Sequence, residues 1–121
     1  MTSGRCFLGL DISTTGAKAL LIDEQGQVVG SATSPLTLSM PHPLWSEQNP
    51  GDWWAGMASS IKQVLDASKV PASSIAAVGL TGQMHGLVLL DEQGKVLRPA
   101  ILWNDQRTAE QCDEIRKRPF G

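Results

Sequence analysis

The stretch Phe7-Leu8-Gly9-Leu10-Asp11-Ile12-Ser13-Thr14-Thr15-Gly16-Ala17-Lys18 decides how this chain is read. An apolar run ends in an aspartate, and hydroxyl residues, a glycine and a lysine follow at once. The apolar run predicts a buried strand over 6–12, and Ser13 to Gly16 predict a tight turn. Successive backbone N–H groups in such a turn can form a nest for an anion. Ser13, Thr14 and Thr15 add hydroxyls, and Lys18 adds a point charge. Asp11, at the strand end, can hold Mg²⁺ directly or through water, because that ion keeps much of its hydration shell. This is the chemistry of a phosphate site. The same residues also suit an ordinary hairpin turn rich in Ser, Thr and Gly. Neither the P-loop spacing nor a Gly-x-Gly-x-x-Gly run is present.

Working outward, strands are predicted over 17–23 and 27–34, joined by a turn at Glu24-Gln25-Gly26-Gln27. With the first strand they make a three-stranded antiparallel meander. Residues 35–50 hold four prolines and read as an extended connection, although Pro41-His42-Pro43-Leu44-Trp45-Ser46-Glu47-Gln48 is more distinctive than a spacer needs to be. Asn49 and Pro50 open a helix, with Asp52 in its first turn. Trp53, Met57, Ile61, Val64 and Leu65 recur at helical spacing and predict one buried face running to Ser68. Trp53 and Trp54 read as packing rather than as a ligand cage. After a loop at 71–74, the apolar run 75–80 predicts a buried central strand. A further strand over 87–90, a turn at 91–94 and a return over 96–103 follow, with Pro99 at an edge or a bulge. A last helix is predicted over 106–117, capped by Asn104 or Asp105. The segment around Leu90-Asp91-Glu92-Gln93-Gly94 repeats Ile22-Asp23-Glu24-Gln25-Gly26 after 68 residues. The repeat fits either duplicated hairpins or one turn chemistry used twice.

The 121 residues are 41% hydrophobic and 18% charged, with a net charge of −2, which predicts a globular domain with its own core. No basic stripe marks a nucleic-acid surface. No apolar run is long enough to span a bilayer. Met1-Thr2-Ser3-Gly4-Arg5 does not read as leading into a signal-peptide h-region. Cys6 and Cys112 are the only cysteines. They make neither a disulfide framework nor a zinc cluster, so a reducing cytoplasm is the expected compartment. The charged helical run ends at Pro119-Phe120-Gly121 without a closing element, and the chain is expected to be part of a longer protein.

Two more segments carry chemistry. Thr81-Gly82-Gln83-Met84-His85-Gly86 follows the apolar run 75–80, much as Asp11 to Lys18 follow the first strand. Ligand sites of α/β sheets gather at strand ends, so neighbouring strands would bring both loops to one cleft. Glycines allow close backbone approach, and Gln83 and His85 can donate to and accept from sugar hydroxyls. A histidine satisfied by nearby backbone is the plainer alternative for His85. His42 has no metal-ligand spacing to it. Trp103-Asn104-Asp105 can pack on and hydrogen-bond a carbohydrate, or can be a buried tryptophan followed by a helix cap.

Together these segments resemble the N-terminal part of carbohydrate kinases of the FGGY family, xylulose kinases most closely, from Phe7 to about Cys112. Leu10 to Lys18 resemble the family's first phosphate motif, which the wider actin-like ATPases share. Pro41 to Pro50 resemble the lead into its first long helix. Gly82-Gln83-Met84-His85-Gly86 resemble its substrate loop, and Arg98 to Asp105 the segment after it. The resemblance implies a ribonuclease-H-like α/β fold: a mixed five-stranded sheet, its first three strands antiparallel, with flanking helices. It implies ATP-dependent phosphorylation of D-xylulose by the full-length protein, with Asp11 organising Mg²⁺. Ser13, Thr14, Thr15, Gly16 and Lys18 would lie at the phosphates. Gln83, Met84, His85, Trp103, Asn104 and Asp105 would lie at the sugar. Glycine is common in the family where this chain has Ser13, whose φ/ψ range is narrower. The general base, the second phosphate motif and the adenosine site are expected downstream, and a homodimer is implied. A kinase for another pentulose or a polyol, or a non-catalytic sugar-binding module, would show the same segments.

Overall fold

The computed structural model describes residues 4–119. Strand β1 (Cys6–Ile12) runs antiparallel to β2 (Gly16–Asp23), and β2 runs antiparallel to β3 (Val28–Pro35). Strand β5 (Ile75–Gly82) lies parallel to the other edge of β1, giving the order β3-β2-β1-β5. The expected mixed sheet with three antiparallel strands is therefore present, with four strands among the described residues rather than five. Period-two alternation sets its faces. Cys6 and Leu8 of β1 and Ala19 and Leu21 of β2 are buried in the core with Val64 and Val70. Their neighbours Gly9, Asp11 and Lys18 are exposed on the opposite face.

Helix α1 (Pro50–Ser68) covers the buried face over β2 and β3. It starts where predicted: Asn49 Oδ1 accepts from the Gly51 N–H at 2.9 Å, and Pro50 fills the first turn, where no N–H is needed. It ends at Lys69, which takes a left-handed conformation and donates its N–H to Leu65 O. Small residues bring it close to the sheet. A Cβ on Gly56 would stand 3.3 Å from Ala17 Cβ. The fully buried Ser60 hydroxyl donates to Ala17 O at 2.7 Å and lies 2.8 Å from Ser34 Oγ. The predicted apolar face is the one that packs: Met57 and Val64 are buried, and Ile61 and Leu65 line the core cluster.

Four expectations need correction. The run 75–80 is an edge strand of the described sheet, not a buried central one; Val78 is 58% and Leu80 75% exposed. The reason is that α1 lies over β2 and β3 and leaves β5 uncovered. The segments 87–90 and 96–103 do not form a regular hairpin. They meet through single bridges, Leu90 to Val96 and Leu87 to Ile101. Ile101 and Ala100 instead form a short strand, β6 (Ala100–Ile101), paired with β4 (Glu47–Gln48). The proline-rich connection thus contains a strand and folds back on itself, with Ser39 and Glu47 exchanging backbone hydrogen bonds. Finally, α2 (Ala109–Lys117) begins after Thr108, and neither Asn104 nor Asp105 caps it. Asp105 instead accepts the N–H groups of Ser46 and Arg107.

The repeat is one turn built twice. Asp23 Oδ1 accepts from the N–H groups of Gln25 and Gln27, and Gly26 sits at φ 78°. Asp91 Oδ1 accepts from those of Gln93 and Lys95, and Gly94 sits at φ 80°. No helix among the described residues is long and apolar enough to cross a membrane. The expectations placed on Met1 to Ser3 and on Phe120-Gly121 fall outside the described residues.

Candidate active site

The parallel pairing of β1 and β5 puts Ile12 opposite Gly82, so the loops after both strands leave the same end of the sheet. The Gln83 N–H donates to Ile12 O at 2.9 Å and fixes the second loop against the first strand. Asp11 lies beside Thr81 on one side and Lys18 on the other. Gly9 and Gly79 are paired behind them, and nothing stands within 4 Å of a Cβ on Gly79. The result is an open cleft on the exposed face, floored by two glycines and rimmed by Asp11, Lys18 and Thr81. Among the described residues no ion pair engages Asp11.

The turn between β1 and β2 is closed from within. Ser13 donates its N–H to Gly16 O at 2.9 Å. Its hydroxyl also donates to Gly16 O and accepts from the N–H groups of Thr15 and Gly16. Three N–H groups of the expected anion nest, those of Ser13, Thr15 and Gly16, are thus engaged inside the turn. Ser13 does through its hydroxyl what a glycine at that position could not. Gly16 sits close to β3: a Cβ there would stand 2.9 Å from Thr33 Cγ2, which would have to shift. Lys18, directly across from Asp11, faces the open cleft rather than the core.

Thr14 is where the loops meet. Its hydroxyl accepts the Trp103 indole N–H at 3.2 Å and lies 3.4 Å from Gln83 Oε1. Its carbonyl accepts from Gln48 Nε2 at 2.6 Å. Gln48 Oε1 in turn accepts from Trp53 Nε1 at 2.9 Å and from Gln83 Nε2 at 3.0 Å. Gln48 is 2% exposed. Gln83 therefore turns its amide inward, while Met84 and His85 project from the loop, Met84 being 67% exposed. His85 adopts φ 60°, a left-handed conformation that a non-glycine residue occupies at some cost and that is common at ligand sites. His85 and Trp103 line one depression with Leu87 and Thr108.

Asp105 stands behind this surface. Its side chain is 1% exposed and holds Arg107 through Nε and a terminal nitrogen, at 2.6 to 3.0 Å. The hydrogen bond from the Arg107 guanidinium, with those from the Arg107 and Ser46 N–H groups, holds its carboxyl well below the usual carboxylate range, against the opposing effect of burial. Arg107 also pairs with Glu47 at 2.8 Å and lies 3.7 Å over the Trp45 ring, and Arg98 joins Glu47 at 2.8 Å. Both oxygens of Asp105 are thus already engaged, while the residue lines the same depression as His85 and Trp103. Asn104 likewise turns Oδ1 into a buried position with no partner among the described residues. His42 packs edge-on against Trp45, with ring centroids 4.5 Å apart.

The structure therefore gathers Thr14, Gln83 and Trp103 in one network, and His85 with Trp103 in one depression. It sets Asp11, Lys18 and Thr81 on the adjoining cleft. Glu47, Gln48 and Arg107 were not anticipated as part of the site. The only sequence signal for the first two was the distinctive composition of residues 41–48.

Residues 6–120 match the N-terminal domain of the FGGY family of carbohydrate kinases. The chain is 47% identical over 112 residues to a xylulose kinase of Escherichia coli (strain K12), covering 93% of this chain and 23% of that protein. It is 49% identical over 106 residues to a xylulose kinase of Klebsiella pneumoniae, covering 88% of this chain and 22% of that one. A crystal structure of a xyloylose kinase from Brucella ovis superposes with a TM-score of 0.88 at 47% identity, covering 92% of this chain and 23% of that one. The chain thus spans less than a quarter of the length of these relatives. It belongs to the FGGY family of carbohydrate kinases.

Proposed function

We propose that this chain is the N-terminal portion of the first, sugar-binding domain of a kinase that phosphorylates D-xylulose from ATP. The observation that carries the reading is the pairing of Ile12 with Gly82, which puts the turn 13–16 and the loop 83–86 side by side at one end of two parallel strands. Likeness to the xylulose kinases adds the substrate class. In the reaction the terminal sugar hydroxyl attacks the γ-phosphorus of ATP. The bond to the β–γ bridging oxygen breaks, ADP leaves, and the hydroxyl proton passes to a base that we place downstream of this chain. Such transfer depends on positioning and charge neutralisation more than on covalent chemistry.

Within that reaction Met84 and His85 would position the ketose, and Trp103 would support the pocket wall. Thr14 and Thr15 would face the transferring phosphate, with Lys18 as a point charge across the cleft. Asp11 fits a divalent ion of the Mg²⁺ kind. It is a single exposed carboxylate, engaged in no ion pair among the described residues, which suits an ion that keeps several waters and takes few protein ligands. No group of three or more His, Cys, Asp or Glu among the described residues forms a full metal cage. When bound, the ion would neutralise charge on the phosphates. A reducing cytoplasm is the proposed compartment, in keeping with the free Cys6 and Cys112.

The test is a substrate panel on the intact polypeptide that carries this chain. D-Xylulose is expected to give the highest kcat/KM among pentuloses and polyols. Higher kcat/KM on glycerol, or sugar binding without ADP formation, would overturn the assignment. In the same protein Asp11→Ala is expected to lower kcat by about 100-fold or more while sugar affinity moves little; equal losses would remove the metal role. The chain 1–121 alone is expected to show no turnover.

A further inference from the structure

We propose that Gln48 is a positioning residue that couples the turn at Thr14 to the loop at Gln83, so that the two halves of the site keep one register. The proposal rests on the reading above for what the two loops hold. Its structural content is independent of the substrate.

Gln48 lies in β4, outside both loops, and is almost wholly buried. Its amide makes three hydrogen bonds to three different elements. Nε2 donates to Thr14 O, and Oε1 accepts from Trp53 on α1 and from Gln83 in the loop after β5. Amide oxygen and nitrogen are often interchangeable in a structure, but here chemistry fixes them. An indole N–H can only donate, so the oxygen must face Trp53. A carbonyl can only accept, so the nitrogen must face Thr14. Gln83 is then fixed as well. It gives its NH₂ to Gln48 and turns Oε1 to the Thr14 hydroxyl, which accepts from Trp103 on its other side. The bonds close a ring: Gln48 to the Thr14 backbone, the Thr14 side chain to Gln83, and Gln83 back to Gln48. Tryptophan donors hold the ring from both ends. Bonds in a closed ring around a buried member strengthen one another and tolerate no reversed member.

A shift of the Gln83 loop when a sugar binds is therefore carried to the Thr14 carbonyl through a residue that touches neither sugar nor phosphate. Glutamate at this position keeps the shape and the two accepted bonds, but sets an oxygen against the Thr14 carbonyl.

The experiment is hydrogen exchange by mass spectrometry with steady-state kinetics on the intact protein, in wild type, Gln48→Glu and Gln48→Leu. Gln48→Glu is expected to raise exchange roughly fivefold in both 13–16 and 83–86, although it breaks only the bond to Thr14. Exchange in β3 should stay unchanged. KM for ATP and KM for sugar should both rise, about tenfold each. Gln48→Leu, which also removes the bonds from Gln83 and Trp53, is the second variant and should exceed both effects. Exchange rising at 13–16 alone would overturn the coupling. So would a lowered thermal midpoint with both KM values unchanged, the signature of a purely structural role. A wild-type protein that phosphorylates no sugar would instead defeat the kinase reading, and the exchange result would still decide the coupling.

Discussion

The indole N–H of Trp103 meets the hydroxyl of Thr14 at 3.2 Å, across 89 residues of chain. One side chain thus lines the depression that we propose for the sugar and steadies the turn next to it. Trp103→Phe keeps an aromatic ring and removes the donor. The expected result is a rise in KM for the sugar of about fivefold, the equivalent of one hydrogen bond of about 1 kcal/mol. Trp103→Ala also removes the ring and should cost more. Equal effects of the two variants would show that the donor is idle.

The Asp105–Arg107 pair sets the acid limit of this region. The folded-state carboxyl lies below its unfolded value, so its stabilisation is present in full above the ordinary carboxylate range. It is lost as pH falls toward the folded value. The thermal midpoint should therefore drop between about pH 5 and pH 2, and more shallowly in Asp105→Asn. At neutral pH that variant should be destabilised by about 2 kcal/mol, because Arg107 loses one of its two carboxylate partners and keeps only Glu47. Parallel pH curves for the two proteins would contradict this.

The twin turns predict twin costs. Gly26 and Gly94 both sit near φ 80° with open space around the missing Cβ. Strain alone therefore opposes a side chain, and Gly26→Ala and Gly94→Ala should each destabilise by about 1 kcal/mol. Thermal or denaturant unfolding of both variants would reveal any inequality.

Ser60 is the polar contact beneath α1. Ser60→Ala adds no bulk but strands the Ser34 hydroxyl and withdraws a donor from Ala17 O, in a site with no exposure. A loss of about 2 kcal/mol is expected in unfolding measurements. A neutral outcome would mean that the Ser34 hydroxyl finds another acceptor, since Gln63 Nε2, 3.4 Å from Ser34 Oγ, can only donate to it.

The meander and α1 were legible because their signals are local: alternation in β1 and β2, a turn with glycine at Gly26, an Asn-Pro start to the helix. The two loops were legible because each follows an apolar strand. The short strands β4 and β6 were not. Two residues carry no periodicity, and Glu47-Gln48 pairs with Ala100-Ile101 only once the chain has folded. The anchoring of Asp105 is not legible for a related reason. A carboxylate after Trp-Asn reads as a cap or a ligand group, and only the fold shows that Arg107 and the Ser46 N–H occupy both its oxygens. The exposure of β5 was likewise invisible, since an apolar run looks the same whether or not a helix covers it.

The tryptophans have one more consequence. The chain has no tyrosine and four tryptophans. Trp54 is 82% exposed, so its emission in water is a steady background. The other three sit where the site is held together: Trp103 on Thr14, Trp53 on Gln48, and Trp45 under the Arg107 guanidinium. Any movement of the pocket changes the polarity and quenching around at least one of them. This segment carries its own optical gauge, and the colour of its ultraviolet emission reports the state of the site without a label.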